Sequence, residues 1–148
     1  MESKIGATIQ GIHDSPTLAA FAVAGAGSSA IDWLLSVAGA SRTALEITVP
    51  YSEKSFSEYI GHQPDQTVSV EASRSLAHAA YARAVRLRSD VRPIVGVACT
   101  ATIATDRPKR GEHRAFVSAW DQNGNTLYSL NMHKGLRDRA GEEELVSR

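Results

Sequence analysis

The segment Thr105-Asp-Arg-Pro-Lys-Arg-Gly-Glu-His-Arg114 gathers four fixed positive charges, Arg107, Lys109, Arg110 and Arg114, and a titratable imidazole, His113. Thr105, Asp106, Pro108 and Gly111 mark it as a turn, set between an apolar run at 93–98 and an alternating run at 115–120. A cationic loop after a buried strand of an open α/β sheet is placed to hold an anionic ligand. Arginine suits this because its planar fork meets phosphate oxygens in pairs. His113, flanked by Glu112 and Arg114, can act as a general base or hydrogen-bond a ligand. A solvated surface loop is the alternative for the whole stretch.

A second candidate is Gly25-Ala-Gly-Ser-Ser29, between an apolar run at 18–24 and an amphipathic one at 30–37. The free N–H groups of such a turn face an anion at the start of a helix. The third glycine of the dinucleotide fingerprint is missing, and tight packing explains Gly25 and Gly27 equally well. Ser28 and Ser29 can bond a phosphate or cap the helix; a nucleophilic role needs a neighbouring base. In Tyr51-Ser-Glu-Lys54, Tyr51 offers a stacking face and Lys54 an ammonium, against the alternative of a proline-ended strand with Ser52 as a cap. Cys99 reads as a small apolar filler. The histidines at 13, 62, 78, 113 and 133 show no metal-ligand spacing, so neither a metal nor a cofactor is expected.

Composition narrows the classes. The 148 residues suit one domain, 1–148, and 16 basic against 16 acidic side chains give no bulk attraction to nucleic acid or membrane. A single cysteine excludes a disulfide framework and a clustered-thiol zinc site. No run has membrane-spanning length and no signal sequence opens the chain, so the expected compartment is the cytoplasm.

Periodicity supplies the elements that must position these residues. A short amphipathic helix is expected over 2–12, with Ile5, Ile9 and Ile12 on one stripe, ended before Pro16. Strands follow at 18–24 and 43–49, and a short helix capped by Ser52 runs through Tyr59. The longest helix spans 70–88, capped by Ser69, with Val70, Leu76, Ala77, Ala80, Ala84 and Leu87 toward a core. A central strand from Pro93 to Ala98 precedes the cationic loop, and Cys99 directly follows that strand. A hairpin then turns at Asp121-Gln-Asn-Gly-Asn125. A last helix begins near Arg137, and its stripe of Leu145 and Val146 points to a longer parent protein. Parallel β–α units followed by a hairpin imply a three-layer α/β/α fold with a mixed sheet.

Several segments in this order resemble the C-terminal domain of the CinA family, the competence-damage-inducible proteins known for nicotinamide mononucleotide deamidase activity. Val37-Ala-Gly-Ala-Ser41 is similar to the family's Val-Pro-Gly-Ser-Ser, and Val49-Pro-Tyr-Ser-Glu53 to its Val-Ala-Tyr-Ser-Asn. Thr67-Val-Ser-Val-Glu-Ala72 resembles Ala-Val-Ser-Glu-Glu-Val, and Gly135-Leu-Arg137 resembles Gly-Asp-Arg. Residues 96–111 occupy the place of the late family loop, with Thr105 and Gly111 keeping their separation. The resemblance implies a CinA-like fold, a nucleotide-sized pocket and a divergent member. Where the deamidases carry Glu-Ser-x-Thr-Gly-Gly with its serine nucleophile, gapless counting from Tyr51 places Val23, Ala24 and Ala26, with Gly27 and Ser28 for the glycine pair. An alanine cannot attack an amide.

The expectation is therefore a pocket for a small phosphorylated nucleoside or similar anion, without family deamidation. Its residues would be Gly25, Gly27, Ser28, Ser29, Tyr51, Thr105, Arg107, Lys109, Arg110 and Arg114, with the glycine turn and cationic loop meeting in one cradle. The alternative is an amidohydrolase using Ser28 or Ser29, with Lys54 or His113 as base and the turn's N–H groups for the oxyanion. A homo-oligomeric module without a small ligand is the third reading.

Overall fold

Strand β1 (Leu18–Ala24) is nearly all small apolar residues and is buried between two neighbours. It pairs in parallel with β2 (Ala44–Thr48) on one side and β3 (Ile94–Thr102) on the other. Beyond β3 the sheet continues antiparallel through β4 (His113–Asp121) and β5 (Gly124–Met132), giving the order β2-β1-β3-β4-β5. The computed structural model describes every residue from Met1 to Arg148.

From β1 the chain steps outward to β2 through α2 (Ser28–Ser36), then crosses back to β3 through α3 (Glu53–Ile60) and α4 (Val70–Leu87). Right-handed crossovers in opposite directions put their helices on opposite faces. Leu18, Ala20, Ala22 and Ala24 of β1 join Phe56, Leu76, Ala77, Ala80 and Ala84 in one core beneath α3 and α4. The alternate residues Ala19 and Phe21 face α1 (Ser3–Asp14) and α2. The three-layer fold with a mixed sheet is thus observed.

Small residues decide how closely these layers approach. A Cβ at Gly96 of β3 would lie 2.2 Å from the Tyr81 amide nitrogen and 2.3 Å from the Ala77 carbonyl oxygen of α4. Only glycine admits that contact. Some buried polar groups pair across the layers: the Ser73 and Ser118 hydroxyls are 3.0 Å apart, joining α4 to β4. His13 of α1 is buried, its Nε2 donating to the Leu34 carbonyl at 2.9 Å and its Nδ1 2.8 Å from the Thr43 hydroxyl. Arg83 of α4 holds Glu46 of the edge strand β2 at 2.8 Å.

Several boundaries differ from the sequence reading. Helix α1 continues to Asp14, because Pro16 restricts only Ser15, which closes the helix through its amide. Helix α2 starts at Ser28, with Gly27 in the left-handed region as its cap. Strand β3 runs to Thr102, since pairing with β4 continues to Thr102↔Arg114 and puts Cys99 inside the strand. The hairpin turns over Gln122-Asn123, with Gly124 at φ 121° already in β5 and paired with Asp121. Helix α5 (Arg139–Ser147) begins after Asp138, whose side chain accepts from the Gly141 amide. Leu87 and Ile12 are exposed rather than core, lying at the solvent edges of their helices.

Candidate functional site

Because β1 runs to one neighbour and β3 lies on the other side, the C-terminal ends of β1 and β3 form the topological switch point of the sheet. Both sequence candidates emerge there. Gly25, at φ 91°, leaves β1 so close to β3 that a Cβ would stand 1.9 Å from the Ala101 carbonyl oxygen. Gly27, at φ 105°, caps α2 without a side-chain acceptor of its own.

The anion at this turn comes from the chain itself. Glu143 of α5 accepts from the Gly27 amide at 2.9 Å, the Ser29 amide at 2.9 Å and the Ser28 hydroxyl at 3.1 Å. Ser147, one turn later, donates to the same carboxylate at 2.9 Å. Burial would raise this carboxyl, but the bonds from Ser29, Gly27, Ser147 and Ser28 outweigh it and hold Glu143 below its ordinary range. Its folded value is the lower one, so its stabilising contribution is complete above the unfolded pKa and is lost as pH falls through the folded one. Glu143→Gln is therefore expected to flatten the decline in melting temperature between about pH 5 and pH 3, where carboxylates titrate, while lowering stability at pH 7. A parallel acid decline in both proteins would refute this.

Adjacent Glu142 points elsewhere. It is fully buried, accepts from the Ala104 amide at 2.7 Å and meets His113 Nδ1 at 2.9 Å. The two carboxylates of α5 thus bind the β1 turn and the segment after β3, inserting α5 beside the two loops. Apolar contacts complete its seat, with Leu145 and Val146 packed on a cluster containing Cys99, Ala101, Ile103 and Met132. Burial, then the charge of Glu143, pushes the Cys99 thiol up to about 12. Folded protein should accordingly resist iodoacetamide at pH 7.5 while the urea-unfolded chain reacts; equal rates in the two states would contradict the burial.

The expected cradle therefore does not assemble as one unit. Gly25, Gly27, Ser28 and Ser29 do not line the cavity that the cationic segment borders. His113 is 6% exposed in β4 and engaged by Glu142, so it is not placed as a free base. Tyr51 is 68% exposed, and it lines no principal cavity. Lys54, Thr105, Arg107 and Arg110 are likewise exposed and outside that cavity, with the Thr105 hydroxyl donating to the Arg107 carbonyl.

Lys109 and Arg114 remain together. They border a polar cavity of about 580 Å³ on the α3–α4 side, walled by Glu53 and Ser57 of α3, the loop before α4, and Thr102 at the end of β3. Lys109 donates to the Thr102 hydroxyl and the Ile103 carbonyl, both at 2.6 Å. Arg114 reaches the Val68 carbonyl at 3.3 Å and lies 5.4 Å above the Phe116 ring. Neither cation is paired with a carboxylate. Burial, followed by repulsion from Arg139, holds the Lys109 ammonium below its ordinary range, which an arriving anion would reverse. Glu53, Asp65 and Glu112 also line the cavity, so the site presents both signs of charge.

Sequence reading missed Glu142 and Glu143. Their signal was the Glu142-Glu143-Glu144 run just after the Asp138 cap, in a helix whose neighbour begins on glycine with no capping side chain. It also missed Glu53, Asp65 and Thr102, which only the crossing of β2 to β3 brings to one edge. Ala24, the position given to the family nucleophile, is a buried methyl paired in register with Thr100. No group of three or more His, Cys, Asp or Glu residues is arranged to hold a metal ion. No helix is long and apolar enough to cross a membrane.

No protein-family model and no curated protein matches this sequence. Solved structures do match its fold. The competence/damage-inducible protein CihA from Agrobacterium tumefaciens has a TM-score of 0.67 at 18% identity, over 99% of this chain and 92% of that one. A competence-damaged protein (CinA) superfamily protein from Escherichia coli has a TM-score of 0.70 at 14% identity, covering 97% of this chain and 81% of its own. One from Klebsiella pneumoniae has a TM-score of 0.70 at 10% identity, over 97% and 89% of the two chains. The chain has the fold of the CinA-superfamily structures.

Proposed function

We propose that this domain binds a small phosphorylated nucleoside, in the first instance a pyridine mononucleotide, in the cavity bordered by Lys109 and Arg114. One observation carries the reading: two cations free of carboxylate partners face one polar cavity beside Thr102 at the end of β3. The phosphate would take Lys109 and Arg114. The carboxylates of Glu53, Asp65 and Glu112 in the same wall suit a ligand that also carries positive charge, as a pyridinium ring does. Such a ligand is of a size to enter a cavity of about 580 Å³.

Binding without the family's amide hydrolysis is supported by Ala24, which stands where the resemblance puts the nucleophile and has no nucleophilic atom. The amidohydrolase reading has one observation in its favour, the Ser28 hydroxyl bonded to the Glu143 carboxylate. Against it, the Gly27 and Ser29 amides that would bind an oxyanion already bind that carboxylate. Calorimetric titration with nicotinamide mononucleotide tests the proposal. Saturable binding is expected, weakened about tenfold or more in Lys109→Ala and Arg114→Ala, the scale of a charged hydrogen bond, with no ammonia released. Unchanged affinity in both variants would overturn the binding reading, and ammonia release abolished by Ser28→Ala would establish the other.

A further inference from the structure

On the sheet face opposite α4, helices α1 and α2 approach the strands far less closely than α4 does. The space between holds a cavity of about 630 Å³, within the roughly 300–1,000 Å³ of small-ligand sites. Phe21, Val95 and Val97 of the sheet form its floor, and Ile5, Ile9 and Trp33 belong to its walls. Ten of its 17 lining residues are hydrophobic, so its body solvates hydrocarbon better than sugar or phosphate. It shares no lining residue with the cavity of Lys109 and Arg114.

The side chains lining it carry charge of one sign. The charged side chains that line it are Lys4 and Arg148, and no Asp or Glu side chain does. Arg148 is taken up by Glu2 and Glu144, both at 2.7 Å. Lys4 is exposed and forms no salt bridge, which leaves one ammonium available beside an apolar hollow. That combination complements an apolar chain ending in a single negative charge; a cationic amphiphile would be repelled and a sugar phosphate would lose hydration without compensation.

We propose that this cavity is a binding site for a medium-chain carboxylate, with the hydrocarbon against Phe21, Val97 and Trp33 and the carboxylate at Lys4. Trp33 reports directly on it. The other tryptophan, Trp120, packs against His78 on the α4 side, so Trp120→Phe leaves Trp33 as the sole tryptophan, excited selectively at 295 nm or above. Titrating that protein with hexanoate, octanoate and decanoate below their micellar range should change Trp33 emission saturably, affinity rising about fourfold per methylene. Lys4→Glu, a change on the exposed side of α1, should weaken decanoate about tenfold or more and leave decanol unaffected. No saturable change with decanoate, or equal losses for decanoate and decanol, would overturn the site. So would sedimentation as a dimer whose Trp33 becomes accessible to acrylamide only on dilution, because a second copy would then cover the hollow.

Discussion

Replacing Gly96 with valine will cost the domain at least about 3 kcal/mol and lower its melting temperature by roughly 10 °C or more. The cause is local. The new Cβ would stand 2.2 Å and 2.3 Å from backbone atoms of α4, which cannot rotate away as a side chain can. The only relief is to lift α4 from β3, and that opens the core made by Leu76, Ala77, Ala80 and Ala84. Differential scanning calorimetry measures this. A melting temperature within a degree or two of the parent would mean that the helix does not lie where the structure puts it.

A second large loss is expected at Glu142. Removing this buried carboxylate in Glu142→Ala leaves His113 without its partner and the Ala104 amide without an acceptor. Leaving a buried polar group without its partner costs about 1–3 kcal/mol, and here two groups lose theirs. Glu142→Gln retains an oxygen for Ala104 and an N–H for His113, so it should lose clearly less. Urea denaturation of the three proteins orders them. Equal stability of parent and alanine variant would show that α5 is not anchored through this residue.

Much of the fold could be read from the chain because local signals agreed with the tertiary outcome. The Ser52 and Ser69 caps, the small-residue stripe of α4 and the apolar 18–24 strand each carry their cause within a few residues. The apolar run shows strand β3 only as far as Ala98, because its last residues are held by pairing with β4, a contact absent from any window around Cys99. The site was legible only in part, for the same reason. Charge clustering singled out the segment containing Lys109 and Arg114, but composition could not say which of its cations turn inward and which stay in water. The glycine turn has the geometry of an anion site, and the anion is Glu143, separated from it by more than a hundred residues. A sequence motif shows the donors; it does not show that the chain has already supplied the acceptor.

The central claim is that Arg114, with Lys109, holds a ligand phosphate in the polar cavity. The most direct test is a cycle of calorimetric titrations pairing nicotinamide mononucleotide and nicotinamide riboside with the parent and Arg114→Ala. The prediction is that losing the phosphate and losing the guanidinium each weaken binding about tenfold or more, and that losing both is little worse than losing either. Equal affinity of the parent for nucleotide and riboside, or fully additive losses, would contradict it.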